Sequence, residues 1–374
     1  MKVPKKNLVR LADQNEKETI DITCCNGNIS HYNTKSQDDF SEYQEFLKKF
    51  IPKKSKSLLL AKSFYRIGEK KRGERVENCG NLLTFAHEID LNGVISQKGK
   101  LHNANFCRER LCPMCIWRRT LKIYGQISKI MCHMPKDINY LFLTLTVPNC
   151  SPENLLETLD RLFYSWKKFS HLKEFKKVVL GYYRVLEITR NKKNGTYHPH
   201  FHIILAVSPS YFRGENYISH DKWLDMWRSA YGDDSITQVD IRKIKARDKS
   251  LTETTNICDL DGFKTLEGAV SETAKYAVKD EDFIINNNDD LMDSVVKTLL
   301  FALKGRRLVQ FGGLFKEVAQ RLKLDDAEDG DLIHIDEDKV NGAIALMIVK
   351  YGWRSGVYTI ISKEIKNEVS NNDM

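Results

Sequence analysis

Residues 140–147 read Tyr-Leu-Phe-Leu-Thr-Leu-Thr-Val and residues 198–202 read His-Pro-His-Phe-His, and these two stretches decide the fold. The first is a β-rich run stopped by Pro148, which has no N–H to continue a strand ladder. In the second, His200 and His202 stand two apart in a β-rich run. A strand there shows both imidazoles on one face and Phe201, Ile203, Leu205 and Val207 on the other. Val178–Arg190 is another such run, and Asn191–Pro199, with its Asn194-Gly195 turn signal, predicts that the two form a hairpin. A tight turn centred on Asn194-Gly195 pairs residues whose numbers sum to 389, which sets Glu187 directly across from His202.

Around these runs the pattern is strand, helix, hairpin, helix, strand, helix. Leu155, Leu156, Leu159, Leu162, Phe163 and Trp166 repeat at helical spacing behind the Ser151-Pro152-Glu153 start. Trp223, Met226, Trp227 and Ala230 mark a second helix, Gln238–Ile244 a strand, and Leu266–Lys279 a third helix. This order predicts an α+β fold, an antiparallel β-sheet covered on one side by helices. Five regions follow: a basic N-terminal arm (1–65), a cysteine-rich segment (66–130), the sheet-and-helix core (131–285), a helical C-terminal region (286–324), and an acidic linker with a tail (325–374). The arm reads as peripheral with short helices, and Ser294–Leu322 as helical except at Gly312-Gly313.

With 374 residues, 41% hydrophobic and 29% charged, the chain is globular and long enough for two or three domains. Apolar stretches such as Ala343–Val349 are far shorter than the roughly 18 residues of a membrane span, and Met1–Ala12 is too polar for a signal peptide. A cytoplasmic protein is expected, in which the nine cysteines point to metal or buried thiols and not to disulfides. The net charge is +9, yet Asp325–Asp338 holds eight acids and no Lys or Arg, so the remainder carries +17. That excess suits a polyanion, nucleic acid first. The acidic stretch itself reads as a solvated linker, or as a strap folded back over a basic surface.

Two imidazoles and a carboxylate on one sheet face, His200, His202 and Glu187, form a ligand set with positions left for substrate. It suits Mg²⁺ or Mn²⁺ in phosphoryl transfer, while Zn²⁺ and Fe²⁺ accept the same ligand types. An exposed histidine-rich hairpin tip is the bland alternative. Cys107, Cys112 and Cys115 give C-x4-C-x2-C, with Cys79 28 residues upstream as a fourth thiolate. Four such ligands suit structural Zn²⁺, His102 and Cys132 being substitutes for the fourth, and buried free thiols the competing reading. Cys24, Cys25, Cys150 and Cys258 have no evident partners. Trp117, Arg118, Arg119 and Lys122 then combine an aromatic with cations on one helix, either a DNA-facing surface or a solvated basic face.

These residues resemble a known family. His200-Phe201-His202 is similar to the signature of the HUH endonucleases, and Tyr140–Val147 to the strand motif that precedes it. The longer string HPHFH, with YLFLTLT upstream and Glu272-Thr273-Ala274-Lys275-Tyr276 downstream, resembles the single-tyrosine initiators of plasmid rolling-circle replication. The resemblance runs from about Cys79 to Leu322 and takes in FCRERLCPMCIWRR (106–119) and GRRLVQFGGLFK (305–316). It implies a ferredoxin-like core in which a tyrosine cuts one DNA strand, forming a 5′-phosphotyrosine and freeing a 3′-hydroxyl at a metal-polarised phosphate. Tyr276 matches the nucleophile, and Glu272, one turn before it, matches the glutamate that activates water for the closing cleavage. Lys275 and Lys279 add charge where a phosphate would be held.

No second tyrosine lies beside Tyr276, so a two-tyrosine mechanism does not fit. The implied partners are plasmid double-strand origin DNA, single-stranded or cruciform at the nick, and a host helicase and polymerase; homo-oligomerisation is left open. Relaxases and transposases are the nearest alternatives, although relaxases place the tyrosine near the N-terminus and use three histidines. From another class, the alternative is a zinc-stabilised DNA-binding regulator without catalysis.

Overall fold

A computed structural model describes residues 46–90, 92–96, 99–244, 277–335 and 345–366, with the backbone of a short hairpin, β1 (Ile20–Thr23) and β2 (Ile29–Tyr32). β3 (Leu82–Ile89) and β4 (Lys100–Ala104) begin one antiparallel sheet, which β10 (Ala345–Arg354) and β11 (Val357–Lys366) return to complete in the order β11-β10-β3-β4. The main sheet is antiparallel throughout. It orders β5 (Asn139–Thr146), β6 (Val179–Arg190), β7 (Tyr197–Val207), β8 (Asp240–Lys243) and β9 (Val309–Gly313) as β8-β5-β7-β6-β9.

Period-two alternation on β7 gives that sheet two chemically distinct faces. Phe201 meets Phe163 and Trp166 edge-on at 5.2 and 6.1 Å, and the aromatic layer continues through Phe169, Phe175, Trp223 and Trp227. These rings come from α4 (Leu155–Phe169), α5 (Lys173–Val178) and α6 (His220–Tyr231), so the helices cover the phenylalanine face. Leu155, Leu159, Leu162, Trp166 and Phe169 are buried at helical spacing, as the pattern predicts. α6 starts where Ser219 accepts a bond from the Lys222 N–H and stops at left-handed Gly232. Arg184 is buried in this apolar layer with its guanidinium over Phe163 and Phe201. The opposite face keeps the histidines.

Three expectations are corrected. The lysine-rich segment before residue 66 is not peripheral where it is described: α1 (Phe50–Arg66) buries Phe50, Leu60, Ala61 and Phe64. Lysines mislead there because one of them, Lys54, is itself buried, donating to the carbonyls of Glu77 and Cys79 at 2.6 and 2.9 Å. Ser294–Leu322 is not one interrupted helix, since β9 lies between α8 (Asp289–Ala302) and α9 (Leu314–Arg321) and pairs with β6. Gly181 on β6 makes this closure possible: a Cβ there would stand 2.6 Å from the Leu314 nitrogen and 2.9 Å from the Gly312 oxygen.

The third correction concerns the acidic stretch and the tail. Residues 325–335 pack on the body, and the described part of the tail, 345–366, supplies two strands, β10 pairing directly with β3 of the cysteine-rich segment. The remaining helices are α2 (Lys70–Asn78), α3 (Pro113–Cys132) and α7 (Asp280–Phe283). Among the described residues no helix is long and apolar enough to cross a membrane. Residues 266–276 of the expected third helix lie outside the described residues, and its expected end, Ala277–Lys279, is not helical: Lys279 is extended and the next helix, α7, starts only at Asp280.

Candidate functional site

β6 and β7 bring Glu187, His200 and His202 to one face, but the register is two residues from the expected one: Glu187 pairs with His200, and Val185 with His202. The turn explains the shift. Asn191 and Thr196 close a four-residue loop, the Gly195 N–H donating to the Asn191 carbonyl at 2.8 Å with Gly195 at φ +75, instead of a two-residue turn centred on Asn194-Gly195. A shift of two preserves the face of every side chain, so the constellation survives.

Its atoms converge. Glu187 Oε2 lies 2.9 Å from His202 Nε2 and 3.6 Å from His200 Nε2, and the two Nε2 atoms are 3.1 Å apart. His200 Nδ1 lies 3.0 Å from the His198 carbonyl, a contact that turns Nε2 toward the cluster as the converging atom. Thr144 Oγ1, from β5, holds His202 Nδ1 at 3.2 Å. Donors bound side by side at roughly 2.1 Å to an octahedral cation stand about 3 Å apart, so these three side chains fit a divalent ion. All three are buried. Burial alone would raise the Glu187 carboxyl, but hydrogen bonding to His200, His202 and Lys279 outweighs it and holds the group well below the usual carboxylate range. A fixed anion results.

Chain returning from outside the described residues reaches this site at once. The Ala277 carbonyl accepts from the Ile188 N–H at 2.8 Å, and Lys279 Nζ sits 3.0 Å from Glu187 Oε1. Lys279 thus pairs with the site's carboxylate while remaining about half exposed. Glu272, Lys275 and Tyr276 lie outside the described residues.

Cys79, Cys107, Cys112 and Cys115 form the second cluster, with all four sulfurs within 4.8 Å of one another. Cys115 Sγ is 3.6 Å from Cys79 Sγ and 3.7 Å from Cys107 Sγ. A tetrahedron with metal–sulfur bonds of roughly 2.3 Å has edges of about 3.8 Å, so the donors fit a tetrahedral thiophilic ion. The N–H groups of Cys107 and Glu109 point at Cys79 and Cys107 sulfurs, and Ser57 Oγ lies 3.3 Å from Cys112 Sγ. His102 and Cys132 are not in the group. Cys150 is buried beside the Tyr197 carbonyl, and Cys24, Cys25 and Cys258 lie outside the described residues.

The expected DNA-facing surface on α3 is corrected. Arg118, Arg119 and Lys122 are 5, 2 and 3% exposed. Arg118 donates to the carbonyls of Leu332 and Ile333, Arg119 to those of Glu328, Glu109 and Arg108, and Lys122 pairs with Asp325 at 2.7 Å. Trp117 packs edge-on against Phe50 at 4.8 Å. The described part of the acidic stretch, 325–335, therefore folds back over the basic helix as a structural strap, with Glu328 buried and accepting from the Leu308 and Val309 N–H groups. Arg119→Ala should accordingly lower stability by about 2–4 kcal/mol, because it strands buried carbonyls. Denaturant unfolding checks this; unchanged stability with a shallower salt dependence of DNA binding would restore the surface reading.

Sequence reasoning missed Thr144, Lys54 and Ser57. Thr144 alone left a signal, since it shares the parity of Thr146 on a strand of otherwise apolar residues.

An antiparallel sheet with a carboxylate and two imidazoles on its open face, joined to a four-cysteine knot, defines an α+β protein with two candidate metal centres. A family model described as Replication protein matches residues 98–359. The chain belongs to this family, in keeping with the resemblance carried by HPHFH and its flanking motifs, and is a plasmid replication initiator. It is 37% identical over 301 residues to a "Protein rep" of Bacillus amyloliquefaciens, covering 78% of this chain and 85% of that one. It is 36% identical over 288 residues to a "Protein rep" of Streptococcus pneumoniae, covering 75% and 82%. A Staphylococcus aureus "Protein rep" is 35% identical over 249 residues, 66% of this chain and 98% of its own. No solved structure matches the chain significantly.

Proposed function

We propose that this initiator is a nicking-closing endonuclease and strand transferase acting on plasmid origin DNA, with Tyr276 as nucleophile. The Tyr276 hydroxyl oxygen attacks the scissile phosphorus, the bond to the 3′-oxygen breaks, and that oxygen takes a proton; a 5′-phosphotyrosine and a priming 3′-hydroxyl result. Glu187, His200 and His202 would hold Mg²⁺ or Mn²⁺, whose contribution is to polarise the phosphate. Lys279, and Lys275 beside Tyr276, add positive charge for the incoming strand. The observation that carries the reading is the convergence of both Nε2 atoms on Glu187 next to Ala277, the residue covalently following Tyr276.

At termination Glu272 activates water for the second cleavage and the displaced strand is resealed. Glu272→Ala is expected to nick and form the adduct at near-normal rate, yet release DNA by hydrolysis on the order of 10²-fold more slowly. Equal turnover of both cleavages would remove that role. Host helicase and polymerase take over at the free 3′ end, in the cytoplasm.

The four cysteines would hold structural Zn²⁺, which suits a knot whose sulfurs accept backbone N–H bonds and are closed off by α1. About one zinc per chain should survive mild chelation, and Cys112→Ser should lose it together with stability. A metal-free wild type, or zinc retained by Cys112→Ser, would return the cluster to buried thiols. Supercoiled origin DNA incubated with Mg²⁺ or Mn²⁺ and run on a denaturing gel tests the whole proposal: protein-linked nicked DNA supports it, and binding without nicking leaves a regulator.

A further inference from the structure

Over the four residues that follow the nucleophile's position, the chain is tied down three times. Ala277 is bonded to β6 and Lys279 to Glu187, as described above. The third tie is longer in reach. Asp280 Oδ2 sits between Lys53 Nζ at 3.0 Å and Lys56 Nζ at 3.2 Å, both on α1, 227 and 224 positions away in sequence. The Asp280 side chain is only 11% exposed. Burial would push its carboxyl up, but the two ammonium groups hold it below its ordinary value, so it stands as an anion between two cations.

The same helix reaches the other way through neighbouring positions. Lys54 donates to the Cys79 carbonyl and Ser57 lies against Cys112 Sγ, so one turn of α1 touches both the cysteine knot and the chain entering the site. A residue that fixes this entry fixes how far, and at what angle, the preceding residue can extend toward Glu187, His200 and His202. Transfer rates respond steeply to such placement.

We infer that Asp280, gripped by Lys53 and Lys56, is a positioning residue for strand cleavage: it anchors the segment following Tyr276 to α1 and so sets the reach of the nucleophile. The inference rests on Tyr276 being that nucleophile. Asp280→Asn keeps the side chain's shape and removes its charge. At saturating oligonucleotide, the rate of covalent adduct formation should fall roughly 10- to 100-fold while oligonucleotide affinity stays within about twofold. Asp280→Glu should recover most of the rate. Lys53→Gln with Lys56→Gln should match Asp280→Asn, and adding Asp280→Asn to that pair should cost nothing further, since the three side chains act as one unit.

Amide hydrogen exchange over residues 277–283, read on the full chain without DNA, separates this inference from the nicking proposal. Exchange should quicken about tenfold in Asp280→Asn with the global unfolding midpoint unchanged. Unaltered exchange, a wild-type adduct rate in Asp280→Asn, or additive losses in the combined variant would each overturn the clasp. Clasp-dependent exchange in a wild type that forms no adduct would overturn the nicking proposal and its positioning role, leaving only the anchor.

Discussion

Tyr276→Phe is expected to abolish covalent capture of nicked DNA, on the order of 10⁴-fold or more, while leaving origin affinity within about twofold. The substitution removes one oxygen and keeps the ring. Two of the residues that follow, Ala277 and Lys279, are bonded to β6 and to Glu187, so the loss is expected without any change in how that segment docks. A general loss of folding would instead depress binding and cleavage together. Nicking at the normal rate by Tyr276→Phe would dismiss it as the nucleophile.

The second large effect is expected at the imidazoles. His200→Ala and His202→Ala should each lower cleavage by roughly 10²- to 10⁴-fold with the fold retained, since each removes one of three converging donors. The partners predict how the losses present. His202 is held between Thr144 and Glu187, whereas His200 takes its orientation from the His198 carbonyl on its own strand. Glu187→Ala should weaken the response to metal, raising the Mg²⁺ or Mn²⁺ concentration at half-maximal rate, and it also leaves Lys279 without its 3.0 Å partner. Metal titrations of cleavage, run beside thermal unfolding, check all three. Full activity in both histidine variants would reduce the cluster to a structural hydrogen-bond group.

Much of this architecture was legible because the main strands follow simple periodicity. The β-rich run 140–147 marked β5, the alternation of His200, Phe201 and His202 set the faces of β7, and helical spacing from Leu155 set α4. Face parity is a local property; register is not. Glu187 was placed on the correct face but opposite the wrong histidine, since a four-residue loop and a two-residue turn differ by two in the pairing sum. β9 was read as helix because Leu308–Gly313 is a short apolar run between two helices, and only the edge of β6 tells it to extend.

The largest misreading was electrostatic. Arg118, Arg119 and Lys122 on one helix look like a phosphate-binding face when only near neighbours are considered. Apart from the Arg108 and Glu109 carbonyls that Arg119 also reaches, their partners, at 325–333, lie some two hundred positions downstream, and no local rule pairs the two segments. The four cysteines escaped this difficulty. Thiol spacing is itself a long-range signal, because a metal-sized cluster needs all four sulfurs whatever the intervening chain does.

The most direct measurement is to trap the protein on a suicide oligonucleotide carrying the origin nick site in Mn²⁺, digest the complex, and locate the nucleotide-bearing peptide by mass spectrometry. The account predicts one modified peptide, containing Tyr276, joined through its phenol to a 5′-phosphate, and no modification when His202→Ala is used in place of the wild type. A covalent link at any other residue, or bound and cleaved DNA with no protein-linked phosphate, would contradict it.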